Sequence, residues 1–388
     1  MAQPPAGDTS NATDGPSGSV AGNRIDIVLF HVDGLVEGYR EFYEAHCGAI
    51  RPCQVRDLGE LRYVLRSIHR YAPWAHRVLL VVQDRRHVPE WVDPSALEVV
   101  LHEDFIPHRH LPTFQVSTLQ GHMHRIPGLS DQFIQWCDDY FLGEPVTPDF
   151  FFDAEGLPRN AVYDSPIWPV LRWFRNDLYM ASLLNTRRVL HEMLRGRLPF
   201  GVKACFLFPH MPVAVRREWW AEMVDSLSDH PWFAQTITRK SRADGSEPFQ
   251  DLIVDLSYIS WVDMYKRRKS SLRRYLECAA MQLTRLLAVI RRKLGWASPP
   301  MLYGTFKIRN DPTRTAAAMA SLAGHPPRFY CVNDDAYDRF VASDGCVYHD
   351  GFEVHPDSLS VFHRTMERLF PDRSRFERVV PGEGVGGD

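Results

Sequence analysis

The chain has 388 residues, 45% of them hydrophobic and 12% aromatic, which is enough for one sizeable core and an inserted lobe. Its net charge of −3 gives no overall electrostatic reason for a nucleic-acid partner, and none is expected. Seven cysteines, an odd number with no CxxC pair, indicate neither a disulfide framework nor a structural zinc site, and the simplest placement is a reducing compartment, the cytoplasm.

Residues 1–23 are rich in Pro, Gly, Ser, Ala and Asn and lack the apolar core and basic start of a signal peptide, so they read as a disordered tail; residues 379–388 read the same way. No uninterrupted apolar run approaches the ~18 residues of a membrane span. One ordered domain is expected over residues 24–378.

That domain opens with the apolar, β-branched run Ile25 to Val32, a buried strand punctuated by Asp33-Gly34. An acid just past such a strand can accept from a ribose hydroxyl or a uracil edge, with Gly34 leaving room for the ligand; a plain Asp-Gly turn explains the pair equally well. From Leu58, the positions Leu58, Leu61, Leu65 and Ile68 recur three or four apart and Pro73 follows, which predicts an amphipathic helix. Arg62 and Arg66 share one face of it, either clasping phosphate together or solvated. "RVLLVV" and "LEVVLH" read as the next strands, and strand, helix, strand in this order predicts an α/β fold with a mixed, mainly parallel sheet.

The apolar run Phe133 to Trp136 ends at Cys137 and delivers two adjacent carboxylates, Asp138 and Asp139. In open α/β sheets ligands sit beyond the carboxyl ends of the strands, so this pair is placed to hold a hard divalent cation, Mg²⁺ or Mn²⁺, and through it a diphosphate; a solvated turn is the alternative. Asn333 and Asp334 follow the apolar run "FYCV" in the same strand-end position.

Residues 264–296 stand apart, with ten Lys or Arg against the single acid Glu277 and with Leu272, Leu276, Ala279, Leu283, Leu287, Ile290 and Leu294 at helical spacing. This inserted basic helix either packs its stripe on the domain, the favoured reading, or lies peripherally on an anionic membrane at its inner face.

Several stretches together resemble the Stealth family, which includes bacterial capsular-polysaccharide hexose-1-phosphate transferases and a GlcNAc-1-phosphotransferase. "IDIVLFHVDG" is similar to the family's first conserved region. "GELRYVLRSIHRYAPWAHRVLLVV" with "LPTFQVSTLQGHMHRIPGLSDQFIQWCDDYFL" resembles its long second region. "FPHMP" and "TITRKSRADGSEPFQDL" resemble the third, and "RFYCVNDD" the fourth. The resemblance implies a GT-A-like nucleotide-sugar transferase fold that moves a hexose-1-phosphate from a UDP-sugar donor to a glycan acceptor and releases UMP. It implies catalytic roles for His210, Arg242, Asp139 and Asp334, metal binding by Asp138 and Asp139, and donor contacts from Asp33, Gly34, Arg62, Arg66 and Asn333. The chemistry fits these residue types: a carboxylate pair for the cation, a guanidinium fork for the phosphoryl oxygens, and an imidazole that titrates near neutrality to accept the hydroxyl proton. The chain departs from the family at Cys137, where Asn is usual, and at His31, where Trp is usual. A glycosyltransferase that releases UDP and a catalytically silent carbohydrate-binding protein are the competing readings.

Overall fold

The structure is a computed structural model, and it describes residues 24–48, 50, 52–160, 163–165, 178–193, 205–207, 210–240, 251–267, 302–336, 340–341, 347–348 and 353–379. Within the basic segment it also describes positions 276, 280, 283, 284, 286, 287, 290, 291, 294 and 296. Both predicted tails lie outside these residues except for Val379.

The central sheet contains β1 (Ile25–Phe30), β2 (Val78–Val82), β3 (Glu98–Leu101), β4 (Gln132–Cys137) and, after the short pair β6 (Tyr163–Ser165) and β7 (Cys205–Leu207), β8 (Val213–Arg216). Its order is β3-β2-β1-β4-β8; the first four strands run parallel and β8 is antiparallel to β4. β1 lies at the centre, with Leu29 in register with Leu80 on one side and Trp136 on the other. The chain leaves β1 towards β2 and β3 and returns to pair β4 on the opposite edge, so the order reverses between β1 and β4. A reversal of this kind opens a crevice at the carboxyl ends of the two strands.

All six residues of β1 and all five of β2 are buried, because both faces of the sheet are covered. Ile27, Leu29, Leu80, Val82, Ile134 and Trp136 point into one core, closed by Leu61, Leu65 and Ile68 of the amphipathic helix α2 (Glu60–Tyr71). Val28, Phe30, Leu79, Val81 and Phe133 point into the other, closed by Trp220 and Met223 of the helix Arg217–Leu227 and by Tyr258 of the helix Val254–Trp261. The predicted strands and helix are therefore present, although β1 stops at Phe30 and only the His31 backbone N–H continues the ladder, donating to Val81 O at 3.0 Å.

A second sheet completes the site. β5 (Tyr140–Leu142) pairs antiparallel with β10 (Phe329–Asp334), which pairs parallel with β9 (Tyr303–Ile308); the remaining strands β11 (Phe340–Val341) and β12 (Val347–Tyr348) form a separate hairpin. Only Asp138 and Asp139 separate β4 from β5, so this two-residue turn joins the two sheets. Trp136 Nε1 donates to Tyr140 O at 2.8 Å and pins the turn. The pairing of Tyr140 with Cys331 then carries the end of β10 to the acids.

The opposite, amino-terminal end of β1 is tied down by Asp26. It is fully buried and accepts from Arg77 at 2.7 Å, from the Ser130 backbone N–H at 2.9 Å and from His76 at 2.8 Å. Burial pushes its carboxyl up, and these donors more than reverse that, so its pKa lies below the ordinary value.

The basic segment corrects the favoured reading of its sequence. Its described positions from Leu276 to Arg291 are helical, but the stripe is not packed on a core: Leu276 and Leu283 are each 57% exposed and Leu287 is 49% exposed. Helical periodicity shows that a stripe exists and leaves open what covers it.

Candidate active site

Two carboxylates meet different partners across the crevice. His31, just past β1, and Asp138, just past β4, are joined by a 2.7 Å hydrogen bond from Nδ1 to Oδ2. An ionised carboxylate only accepts, so Nδ1 is the donor. Burial disfavours the imidazolium, but the hydrogen bond and charge of Asp138 outweigh it and raise the His31 pKa above 6.5. The fully buried Nε2 has no hydrogen-bond partner among the described residues.

Asp139 has no cation beside it among the described contacts. Its Oδ2 accepts from Cys331 Sγ at 2.9 Å and from Asn333 Nδ2 at 3.2 Å, and its carbonyl accepts from the Val332 backbone N–H at 3.1 Å. Burial, and then the charge of Asp138, push its carboxyl up to about 7. Two neutral donors orient the carboxylate without neutralising it. His210 approaches from the open side: its ring is exposed, sits 6.2 Å from the Tyr140 ring, and brings a nitrogen to within 4.8 Å of ligand atoms of both Asp139 and Cys331. Protein atoms crowding its inner edge lower its pKa, which favours the neutral imidazole at pH 7.

More acid surrounds the pair than the sequence reading named. Glu60, at the first position of α2, is buried and accepts from the Leu58 backbone N–H at 2.6 Å. Burial and the charge of Asp57, with further contributions from Asp138 and Asp334, push its carboxyl well above the usual range.

Several expected contacts have a different role. Asp334 is bound by Arg56 in a buried two-bond fork, Nε to Oδ2 at 2.5 Å and Nη2 to Oδ1 at 2.8 Å, and also accepts from the Ala336 backbone N–H. Both of its oxygens are engaged in this ion pair; Arg56 carries no local signal in the sequence because its partner is 278 residues away. Arg66 is held by both oxygens of Glu377 at 2.8 Å and by Phe370 O at 3.0 Å, and Arg62 stacks 4.8 Å over Trp91. Arg66 thus anchors α2 to the C-terminal segment, and Arg62 lies against Trp91. Asn333 faces Asp139 and not an open donor pocket.

Asp33 Oδ1 closes a turn on the Leu35 N–H at 2.8 Å, and its own N–H donates to His87. The close approach at Gly34 is made by the protein itself: a Cβ there would lie 2.6 Å from Val55 Cγ2 and 2.9 Å from Val55 O, so the position excludes larger residues and leaves no ligand space on that side. Arg242 lies outside the described residues.

The fold and site thus define a mixed α/β protein with a mainly parallel central sheet and a cluster of acids, His31 and His210 at its carboxyl edge. Residues 54–160 match Stealth protein CR2, conserved region 2, and the chain is similar to several polysaccharide phosphotransferases. The exopolysaccharide phosphotransferase cps2G of Lactiplantibacillus plantarum is 30% identical over 217 residues, 50% of this chain and 64% of that protein. The capsular polysaccharide phosphotransferase WcwK of Streptococcus pneumoniae is 34% identical over 38% of this chain and 47% of its own length. The exopolysaccharide phosphotransferase SCO2592 of Streptomyces coelicolor is 36% identical over 50% of this chain and 20% of its own length. In each case the match covers less than two thirds of the relative. Mouse xyloside xylosyltransferase 1 superposes with a TM-score of 0.34 at 10% identity over 79% of this chain and 97% of that one, too loosely to inform the fold comparison.

Proposed function

We propose that the protein transfers a hexose-1-phosphate, for example N-acetylhexosamine-1-phosphate, from a UDP-sugar to a glycan hydroxyl in capsular or exopolysaccharide synthesis, on a GT-A-like scaffold. The observation that carries this reading is the placement of Asp138 and Asp139 at the crevice between β1 and β4, with His210 at its open rim, beside a segment that matches Stealth protein CR2. The phosphotransferase names of the relatives support phosphoryl rather than simple glycosyl transfer.

In this reaction the acceptor oxygen forms a bond to the β-phosphorus, the bond from that phosphorus to the bridging oxygen breaks, and UMP leaves with the electron pair. The hydroxyl proton passes to neutral His210, whose ring is exposed and open to an acceptor. Arg242 is retained as the guanidinium that takes up phosphoryl charge, on the family resemblance. The residues fit a divalent cation, Mg²⁺ or Mn²⁺: Asp138 and Asp139 adjoin, and burial together with the charge of Asp138 pushes the Asp139 carboxyl up to about 7, a cost that a cation would relieve. Such an ion supplies neutralisation of the diphosphate, with Asp138 and Asp139 as its holders.

The test is to incubate the protein with a panel of nucleotide sugars, a glycan acceptor and Mg²⁺ and to identify the nucleotide released. UMP is expected; UDP would assign a glycosyltransferase, and no nucleotide would leave a binding protein. Excess EDTA is expected to abolish release, and full turnover in EDTA would remove the cation from the account. Because protons compete for Asp139, the apparent cation affinity should fall by up to about tenfold per pH unit below 7. A pH-independent affinity would show that Asp139 is not a ligand.

His210→Ala is expected to lower kcat by roughly 10²- to 10⁴-fold and to remove the acid limb of the rate profile, with donor binding retained. Unchanged kcat with an intact acid limb would take the base role away from His210.

A further inference from the structure

The chain is fixed to the protein where it enters the basic segment, and the described positions beyond are exposed. Lys266 pairs with Glu222 at 2.6 Å, and Arg267 donates to Pro158 O at 2.6 Å. Beyond them Leu276, Leu283, Leu287, Ile290 and Leu294 recur three, four or seven apart, the spacing of one helix face, and each is between 42% and 57% exposed. Five leucine-sized side chains in a row cost far more in water than single surface apolars, and such a stripe marks a surface that meets another phase or partner. Among the described residues no helix is long and apolar enough to cross a membrane.

Charge decides what the stripe meets. The segment from 264 to 296 holds ten Lys or Arg and one Glu277, and by the helical periodicity of the sequence Arg273 and Arg291 flank the stripe while Arg274, Arg285 and Arg292 fall opposite it. Two copies of this helix packed stripe to stripe would bring the flanking like charges together, which disfavours self-association. An anionic bilayer satisfies both features at once: the stripe enters the acyl boundary and the basic flanks meet the headgroups. We propose that this helix lies flat on the surface of an anionic membrane and holds the protein there. The inference stands on the helix alone and does not depend on the proposed reaction.

The test is sedimentation of the full chain with vesicles of phosphatidylcholine alone and of phosphatidylcholine mixed with phosphatidylglycerol. Binding is expected to the mixed vesicles and to be weak to phosphatidylcholine alone. It should fall by about tenfold or more from 0.1 M to 1 M salt, over which the Debye length shrinks from about 10 Å to about 3 Å. The double variant Leu283→Glu, Leu287→Glu should lose about tenfold or more in affinity for the mixed vesicles, because two apolar side chains no longer enter the interface. Its melting temperature and nucleotide release should be unchanged, since both positions are exposed. Failure to sediment with the mixed vesicles would overturn the proposal, as would equal binding to both vesicle types. A lipid-free dimer that the double variant dissociates would also overturn it and assign the stripe to a second copy.

Discussion

Asp139→Asn is expected to reduce kcat by roughly 10²-fold or more, the scale of losing a preorganised charge contact in a phosphoryl-transfer site, while the fold is untouched or gains stability. The sign of the stability effect follows from the raised carboxyl. In the cation-free protein Asp139 binds its proton up to about 7, whereas the unfolded chain releases it near the ordinary 3.8, so stability falls as pH rises between those values. Asn cannot ionise, so the variant escapes that loss and should melt no lower than the parent in EDTA at neutral pH. Asp138→Asn should also reduce turnover, but by a second route: it leaves His31 beside a neutral amide and removes the hydrogen bond and charge that raise the imidazole pKa, so that pKa falls. Paired rate and melting measurements on both variants check this. Near-parent rates for both would move the metal site elsewhere, and a large drop in melting temperature for Asp139→Asn would make that residue structural.

Arg56→Leu is expected to cost about 3–5 kcal/mol of unfolding free energy, because it leaves Asp334 as an uncompensated buried charge. The side chains of Arg56 and Asp334 are 1% and 6% exposed, so water cannot replace the lost partner. Arg56 also bonds Ala336 O at 2.5 Å, and its loss frees the chain end of β10, the strand that holds Cys331 and Asn333 against Asp139. Removing both charges with Arg56→Leu, Asp334→Leu should recover part of the stability, as expected for a coupled pair. Denaturant unfolding of the three variants measures this. Asp334→Asn with parent stability but no turnover would restore Asp334 to the catalytic list.

How much of this was legible from residues alone depended on the range of the interaction. Periodicity is local, so β1, α2, β2, β3 and β4 were readable, as was the delivery of Asp138 and Asp139 to a strand end. Placement at the reversal between β1 and β4 needed the strand order, which local pattern does not fix. Charge partners were the least readable. Arg62 and Arg66 share a helix face, but Glu377, 311 residues on, determines that Arg66 is an anchor. The same distance problem hid Arg56 behind Asp334 and turned Asn333 towards Asp139. Gly34 read as space for a ligand because the sequence does not show that Val55 fills it. At the basic helix the pattern was right and its covering was wrong, since amphipathicity is a property of the segment and burial is a property of its neighbours.

The central claim is that phosphorus, not only sugar, moves to the acceptor. A UDP-sugar radiolabelled in its β-phosphate, incubated with the protein, Mg²⁺ and a glycan acceptor, tests it directly. The account predicts label in the glycan, bound through a phosphodiester, with unlabelled UMP released in equal amount. Label recovered in UDP, with the glycan carrying sugar and no phosphorus, would contradict it.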